Sequence, residues 1–349
     1  MARLRRAIAI DLGTSSVLIY VNNKGIVVEE PSVIALDELT GDILAVGNEA
    51  KKIVGRSAGN VKIVMPLKDG VIADFEATER MLKYFLEKAT NKSLLKPDLL
   101  ICAPSRSSQV EKRALLQASD NAGAHRTYLI EEGLASAIGA GVDIADPKGS
   151  LVIDVGGGTT DIAVISMGQI ITSSSIPIGG LIFDRAIKDF LRQRYGILIG
   201  EIKAEDIKIA ASSGSSEGSI EVTGRSITNG LAQKIYLPTG EVFEVIRENI
   251  DLIISSIEEV IEVTPPELVS DIYERPVILT GGGAPTLGLA KRIKEKLKID
   301  VEISENPSEC VIIGTAKALN WIDSLDEERN EAIKDKQREM ETKEKLRRR

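Results

Sequence analysis

The stretch "LVIDVGGGTTDIAVI", residues 151–165, decides the fold. Apolar and β-branched residues run into Asp154, then come Gly156, Gly157 and Gly158, and then Thr159, Thr160 and Asp161 lead into a second apolar run. Two buried strands joined by a hairpin account for the flanks, but such a hairpin needs only about two turn residues. The surplus glycine points to a large polar group that approaches the backbone closely, and phosphate is the usual guest.

The same plan occurs once more. "AIAIDLGTSSVLIYV", residues 7–21, is again a buried strand, an aspartate (Asp11), a small turn with Gly13, a hydroxyl cluster (Thr14, Ser15, Ser16) and a second strand. The two copies lie a little under half the chain apart. Their repetition predicts two similar α/β domains, each offering a turn whose backbone N–H groups face a shared cleft. A third glycine cluster, Gly281, Gly282 and Gly283 in "ILTGGGAPTLGL", follows a strand and precedes a helix, a turn suited to an adenine ring or a phosphate. No Walker loop and no G-x-G-x-x-G after the first strand is present, which disfavours P-loop and dinucleotide folds.

At 349 residues the chain exceeds the roughly 250–300 at which one core stops growing, so two domains are expected. A net charge of −8 argues against non-specific nucleic-acid binding. Two cysteines and one histidine make neither a zinc site nor a disulfide framework, and Cys102 and Cys310, both in apolar runs, read as small core residues. No run reaches the roughly 18 apolar residues of a transmembrane helix, and the expected location is the cytoplasm. Strand-like runs ("RAIAIDLG", "VLIYVNNKGIVVEE", "DLLICAP", "TYLIEE", "SLVIDVG", "DIAVISMGQIITSSSIPI", "PVILTGGG", "CVIIGTA") alternate with helical patterns, among them "EATERMLKYFLEKAT" and "DRAIKDFLRQRYG", as in an α/β architecture. "SSGSSEGS", residues 212–219, reads as a surface loop. The tail from Asp323 has acids leading and bases trailing, a solvated and helical pattern.

"IDLGT", "EEPSVIA", "VGNEAKKIVGRSAGN", "PLKDGVIADFEATERMLKYF", "YLIEEGLASAIGAG", "DVGGGTTDIAVIS", "AEDIKI", "TPPELVSDI", "ILTGGGA" and "IIGTAKAL" occur in this order over residues 7 to about 320. The set resembles the actin-like ATPase superfamily and, within it, closely the MreB family of bacterial actin homologues. That resemblance implies an actin-like fold of two α/β domains around a nucleotide cleft, each with a smaller subdomain. Subdomain IA would take 1–32, 75–143 and 313–325, IB 33–74, IIA 144–180 and 246–312, and IIB 181–245, leaving 326–349 as a charged tail.

The resemblance also implies ATP or ADP with Mg2+ in the cleft. Asp11 and Asp154 would hold the hydrated ion, which prefers oxygen ligands and keeps several waters. Gly13, Thr14, Ser15 and Ser16 would wrap the β-phosphate, and Gly156, Gly157, Gly158, Thr159 and Thr160 the γ-phosphate. Glu205 and Lys208 would flank the adenosine opposite Gly281 to Gly283. Glu132 would orient the attacking water with help from Thr159, although a glutamate there also reads as a helix N-terminal acid favoured by the dipole. The sequence departs from the family's usual pattern at Gly133, where proline is usual, at Ser16, where asparagine is usual, and at Leu181 and Ile182, where an acidic pair is frequent.

Chaperone ATPases of this superfamily carry a β-rich peptide-binding domain after the body, and here only the short charged tail follows "KALNW". Sugar kinases need a substrate pocket and catalytic base for which the sequence shows no signature. Filament formers need only the body, since head-to-tail contacts make open polymers. The expected partners are further copies of the chain, the inner membrane leaflet, and paralogous actins or membrane shape proteins. Leu94 and Leu95 match an apolar membrane-inserting loop, or else cap a hairpin against the body. Each contributes at most roughly 1.5–3 kcal/mol, so attachment would rely on filament avidity. Arg347, Arg348 and Arg349 could add attraction to anionic lipid, or lie in a frayed helix end.

Overall fold

The computed structural model describes residues 7–56, 59–91, 95–213 and 218–322. Strands β1 (Ala7–Leu12), β2 (Ser16–Val21) and β3 (Gly25–Pro31) form an antiparallel meander. The run "VLIYVNNKGIVVEE" is thus two strands, which turn where Asn23 and Gly25 take positive φ. The chain then builds a small sheet from β4 (Ile34–Asp37), β5 (Ile43–Val46) and β6 (Val61–Val64), with the short helix α1 (Asn48–Lys51) between the last two. A tight hairpin, β7 (Leu67–Lys68) and β8 (Val71–Ile72), leads into α2 (Phe75–Thr90), whose N-cap Asp74 accepts from Ala77 N–H. Next, β9 (Asp98–Ala103), α3 (Gln109–Ala122) and β10 (Arg126–Glu131) add parallel strands to the open edge of β1, giving the order β3-β2-β1-β9-β10.

Helix α4 (Glu132–Gly139) leads into a second copy of this plan. The meander β11 (Ser150–Val155), β12 (Thr160–Ser166) and β13 (Gln169–Ile176) is followed by α5 (Gly180–Tyr195). A small sheet comes next, from β14 (Ile197–Leu198), β15 (Ser219–Ser226) and β16 (Ala232–Pro238), with α6 (Glu201–Ser213) inserted after β14. After α7 (Thr239–Glu262) and α8 (Pro266–Glu274), β17 (Val277–Thr280), α9 (Leu289–Leu297) and β18 (Val301–Ile303) extend the second sheet in parallel. Its order, β13-β12-β11-β17-β18, repeats the first strand for strand. The echo between residues 7–21 and 151–165 is therefore the visible part of a duplicated architecture.

Alternation sets the cores. Ile8 and Ile10 pack with Met81 and Phe85 of α2, while Ala9 between them faces Val311 and Ile312. The second sheet buries Leu151 and Ile153 against Phe183, Ile250 and Ile253.

"CVIIGTA" overturns one expectation, because it is the helix α10 (Cys310–Ala318) and not a strand. A short run apolar on every side fits a buried strand and a buried helix equally. Here it is enclosed by the back of the first sheet and by α4. A Cβ on Gly314 would lie 1.7 Å from Ala135 O, and one on Gly139 would lie 1.8 Å from Cys310 O. The helices thus touch backbone to backbone, and α4 also packs through Ala137 on Val152, Ala163 and Ile165 of the second sheet. "SSGSSEGS" is likewise less than a full loop, since Ser212 and Ser213 finish α6 and Ser219 opens β15. Leu94, the chain from Asp323 on, including Arg347, Arg348 and Arg349, and Met1 to Arg6 lie outside the described residues. Leu95 is 60% exposed. Among the described residues no helix is long and apolar enough to cross a membrane.

Candidate functional site

The two meanders bring their first turns together. Gly13 N–H donates to Ser16 O at 3.0 Å, and Gly156 N–H donates to Thr159 O at 2.8 Å, so both hairpins close in the same way. Asp11 and Asp154 each occupy the penultimate position of the leading strand. Both turns line a cavity of about 440 Å³, together with Glu132, Glu205, Lys208 and Gly281 to Gly283. Among the described residues, the backbone N–H groups of Thr14, Ser15, Gly157, Gly158 and Thr159 have no hydrogen-bond acceptor. Five unpaired donors on two facing turns form a nest for an anion.

Contact between the turns explains part of the glycine. A Cβ on Gly157 would lie 1.9 Å from Ser15 Oγ, and one on Gly158 would lie 2.6 Å from Thr14 Oγ1. What approaches these glycines within the chain itself is the opposite turn. Gly281, at φ +84, is constrained twice, since a Cβ there would also meet Val155 O at 2.4 Å.

Four carboxylates gather beside the nest. Burial, with a contribution from the Asp154 charge, pushes Asp11 up to about 7, against a lowering hydrogen bond from Cys102. Burial and Asp154 push Asp161 up to about 7 as well. Glu132, the first residue of α4, is raised well above the usual carboxylate range by burial and then by Asp161, Asp154 and Asp11. Asp154 is raised by burial, while hydrogen bonds from Thr280 and Ser136 oppose the shift. Mutual repulsion of this kind is what a divalent cation relieves, so the donor set fits a hydrated Mg2+. Among the described residues no three such side chains converge to enclose an ion directly, which leaves one or two carboxylates acting with water.

The remaining expected residues are placed as follows. Ser16 lines the cavity at the start of β2. Thr159 lines it too, whereas Thr160 does not: it is fully buried and donates to Ile178 O at 2.6 Å, which secures the turn from behind. Glu205 pairs with Lys51 at 2.8 Å, joining α6 to α1 across the cavity mouth. Lys208 is held by Asp184 at 2.8 Å and by Gly180 O at 3.1 Å. At the departure Gly133, a Cβ would lie 2.7 Å from Ala163 Cβ, so the second sheet leaves room only for glycine. Leu181 lines the cavity and donates its N–H to Gly157 O at 2.9 Å, so its backbone supports the second turn.

Sequence reasoning missed several groups. Asp161 is 1% exposed, its Oδ2 has no partner among the described residues, and its only sequence signal was a charge inside an apolar run. Gly70, at the tip of the β7–β8 hairpin, donates to Thr14 Oγ1 at 2.9 Å, and a Cβ there would lie 3.2 Å from Thr159 Cγ2. Cys102, buried as expected, also donates its thiol to Asp11 Oδ1 at 3.3 Å.

Comparison with known proteins agrees with this geometry. The family model described as MreB/Mbl protein matches residues 5–327. The cell shape-determining protein Mbl of Bacillus subtilis strain 168 is 49% identical over 324 residues, covering 92% of this chain and 97% of that protein. The cell shape-determining protein MreB of Escherichia coli strain K12 is 44% identical over 325 residues, covering 90% and 94%. The crystal structure of MreB5 of Spiroplasma citri bound to AMPPNP superposes with a TM-score of 0.88 at 35% identity, covering 93% of this chain and 99% of that one. MreB5 of the same species has also been solved with ADP. With its duplicated sheets, facing turns and carboxylate cluster, this chain has the actin-like fold and belongs to the MreB/Mbl family.

Proposed function

We propose that the protein is a nucleotide-dependent bacterial actin that binds ATP and ADP with Mg2+, hydrolyses ATP, and assembles with copies of itself into membrane-associated filaments that determine cell shape. The observation that carries this reading is the pair of facing turns, with five unpaired N–H groups beside four carboxylates, of which Asp154 and Asp161 are buried and Asp11 and Glu132 half-buried. The relatives support it by name as cell shape-determining proteins, and MreB5 supports it by its AMPPNP and ADP complexes.

In this reading Gly13 to Ser16 and Gly156 to Thr159 hold the phosphates through backbone donors, and Glu205, Lys208 and Gly281 to Gly283 surround the adenosine. Asp11 and Asp154 hold Mg2+ through water. The ion, when bound, neutralises phosphate charge. Phosphoryl transfer is mostly positioning and charge stabilisation. Glu132 supplies the positioning, orienting the attacking water with Thr159. In this reading the chain has four subdomains with the boundaries expected above; the two five-stranded and two three-stranded sheets favour a division into four, with α7 and α10 each running from one subdomain into the next. Leu94, Leu95 and the terminal arginines serve as weak anchors at the inner leaflet, effective only when a filament multiplies them.

Sedimentation with Mg·ATP, Mg·ADP or no nucleotide, with negative-stain imaging of each pellet, tests the reading. Nucleotide-dependent filaments are expected. A protein that stays monomeric under all three conditions would favour a soluble chaperone-like or kinase-like ATPase instead.

A further inference from the structure

Asp154 is held by two hydroxyls that none of the roles above uses. Ser136 Oγ lies 3.0 Å and Thr280 Oγ1 2.8 Å from the same oxygen, Asp154 Oδ2, and the two hydroxyls are 2.5 Å apart. Ser136 and Thr280 are both fully buried. Thr280 ends β17 directly opposite Asp154 in the parallel register. Ser136 sits four residues after Glu132 on α4, one turn further along the same helix. Asp154 Oδ1, the other oxygen, lies close to Gly281, where a Cβ would come within 2.8 Å of it.

Two hydroxyl protons serve these contacts. Either both donate to Oδ2, or one hydroxyl donates to the other and that one to Oδ2; Ile153 O, at 3.3 Å from Thr280 Oγ1, is a more distant acceptor than Oδ2 at 2.8 Å. In both arrangements the carboxylate accepts, its plane is fixed, and its ionised form is favoured. The helix that begins with Glu132 thus grips the aspartate proposed to hold the ion, and the spacing between the two carboxylates is set by one turn of α4.

We propose that Ser136 and Thr280 are positioning residues that orient the Asp154 carboxylate toward a nucleotide-bound divalent cation and lock it to the Glu132 helix, a role that rests on the cavity taking a magnesium nucleotide. Groups that orient a metal-holding side chain are typically worth about 10–100-fold in metal affinity. The effect here belongs at the lower end, because the ion is held through water.

The test titrates Mg2+ from zero, in EDTA, against binding of a fluorescent ATP analogue, for the wild type, Ser136→Ala, Thr280→Val, the double variant and Thr280→Ser. The double variant should need about tenfold more Mg2+ for half-saturation, with metal-free nucleotide affinity unchanged. Thr280→Ser, which keeps the hydroxyl, should follow the wild type. Should the double variant fail to fold, Ser136→Ala alone gives the same readout, since it deletes one oxygen and suits a helix. An unchanged Mg2+ midpoint, or a parallel loss of metal-free affinity, would overturn the positioning role. A wild type that binds nucleotide without regard to Mg2+, or not at all, would overturn the magnesium-nucleotide reading itself.

Discussion

Replacing Gly157 by alanine separates two reasons for the glycine: room for phosphate and room for the opposite turn. Gly157 does not have positive φ, so its backbone accepts a side chain and contact alone decides the outcome. The new Cβ would lie 1.9 Å from Ser15 Oγ and 2.5 Å from Ser15 Cβ. Carbon atoms settle at about 3.5–4.0 Å, so the turns must part by roughly 1 Å or more. Rotating the hydroxyl cannot supply this, because Ser15 Cβ itself collides. Overpacking of this kind costs about 1–3 kcal/mol, and because Gly157 and Ser15 sit on opposite turns it falls on the arrangement in which the two turns meet rather than on the packing within either sheet, a penalty of about 5- to 150-fold. The assay is the critical concentration for sedimentation with Mg·ATP, beside a thermal melt without nucleotide. Gly157→Ala should melt near the wild type and polymerise only at five times the concentration or more. Adding Ser15→Gly, which deletes both colliding atoms, should recover most of the loss. The loop-contact reasoning is refuted if Gly157→Ala polymerises normally, or if Ser15→Gly recovers nothing.

Glu132→Gln should keep nucleotide binding and lower phosphate release at least a hundredfold, the usual worth of a positioned general base; steady phosphate release at the wild-type rate would remove Glu132 from the chemistry. Burial, with the Asp154 charge, pushes Asp161 up to about 7 from its ordinary 3.8, so the folded protein keeps a proton that the unfolded chain has lost between those limits, and this group's contribution to stability falls as pH rises through that window. Asp161→Asn should therefore raise nucleotide-free stability by about 4 kcal/mol at pH 8, by about 1.5 kcal/mol at pH 5 and by almost nothing at pH 3, read by urea unfolding at the three pH values. The Lys51–Glu205 pair is partly exposed and contributes at most about 1 kcal/mol, so Lys51→Ala should speed release of a fluorescent nucleotide by no more than about fivefold, with little change in melting temperature. Gly314→Ala drives a Cβ to 1.7 Å from Ala135 O and should cost about 3 kcal/mol or more in thermal unfolding, because two packed helix backbones must separate.

The readable parts of the chain are those where burial and chemistry act within a few residues. β1–β2 and β11–β12 are buried on both faces, so their apolar runs and glycine turns stand out, and the repetition carries the duplicated sheet with it. The small sheets escape notice because they are half-solvated: β15 alternates exposed and covered residues through "SIEVTGRS", where glycine and charge dilute the pattern. "CVIIGTA" fails for the opposite reason, since burial on all sides erases the period that separates helix from strand.

The site divides along the same line. Asp11, Asp154, Thr159 and the glycines were legible as a motif, and all of them line the cavity. Thr160 belongs to the same motif, yet strand alternation turns it to Ile178, while Thr159 and Asp161 share the other face. The glycines announced a close neighbour, but the sequence could not show that Ser15 and Thr14 are part of it, because that contact exists only once two distant turns meet. Ser136 is further from sight still. In "EGLASAIG" it reads as one more small residue on a packed helix, and nothing nearby marks it as a donor. Its role is created by β17 and β11 arriving beside α4, so a motif search finds the aspartate and misses what aims it.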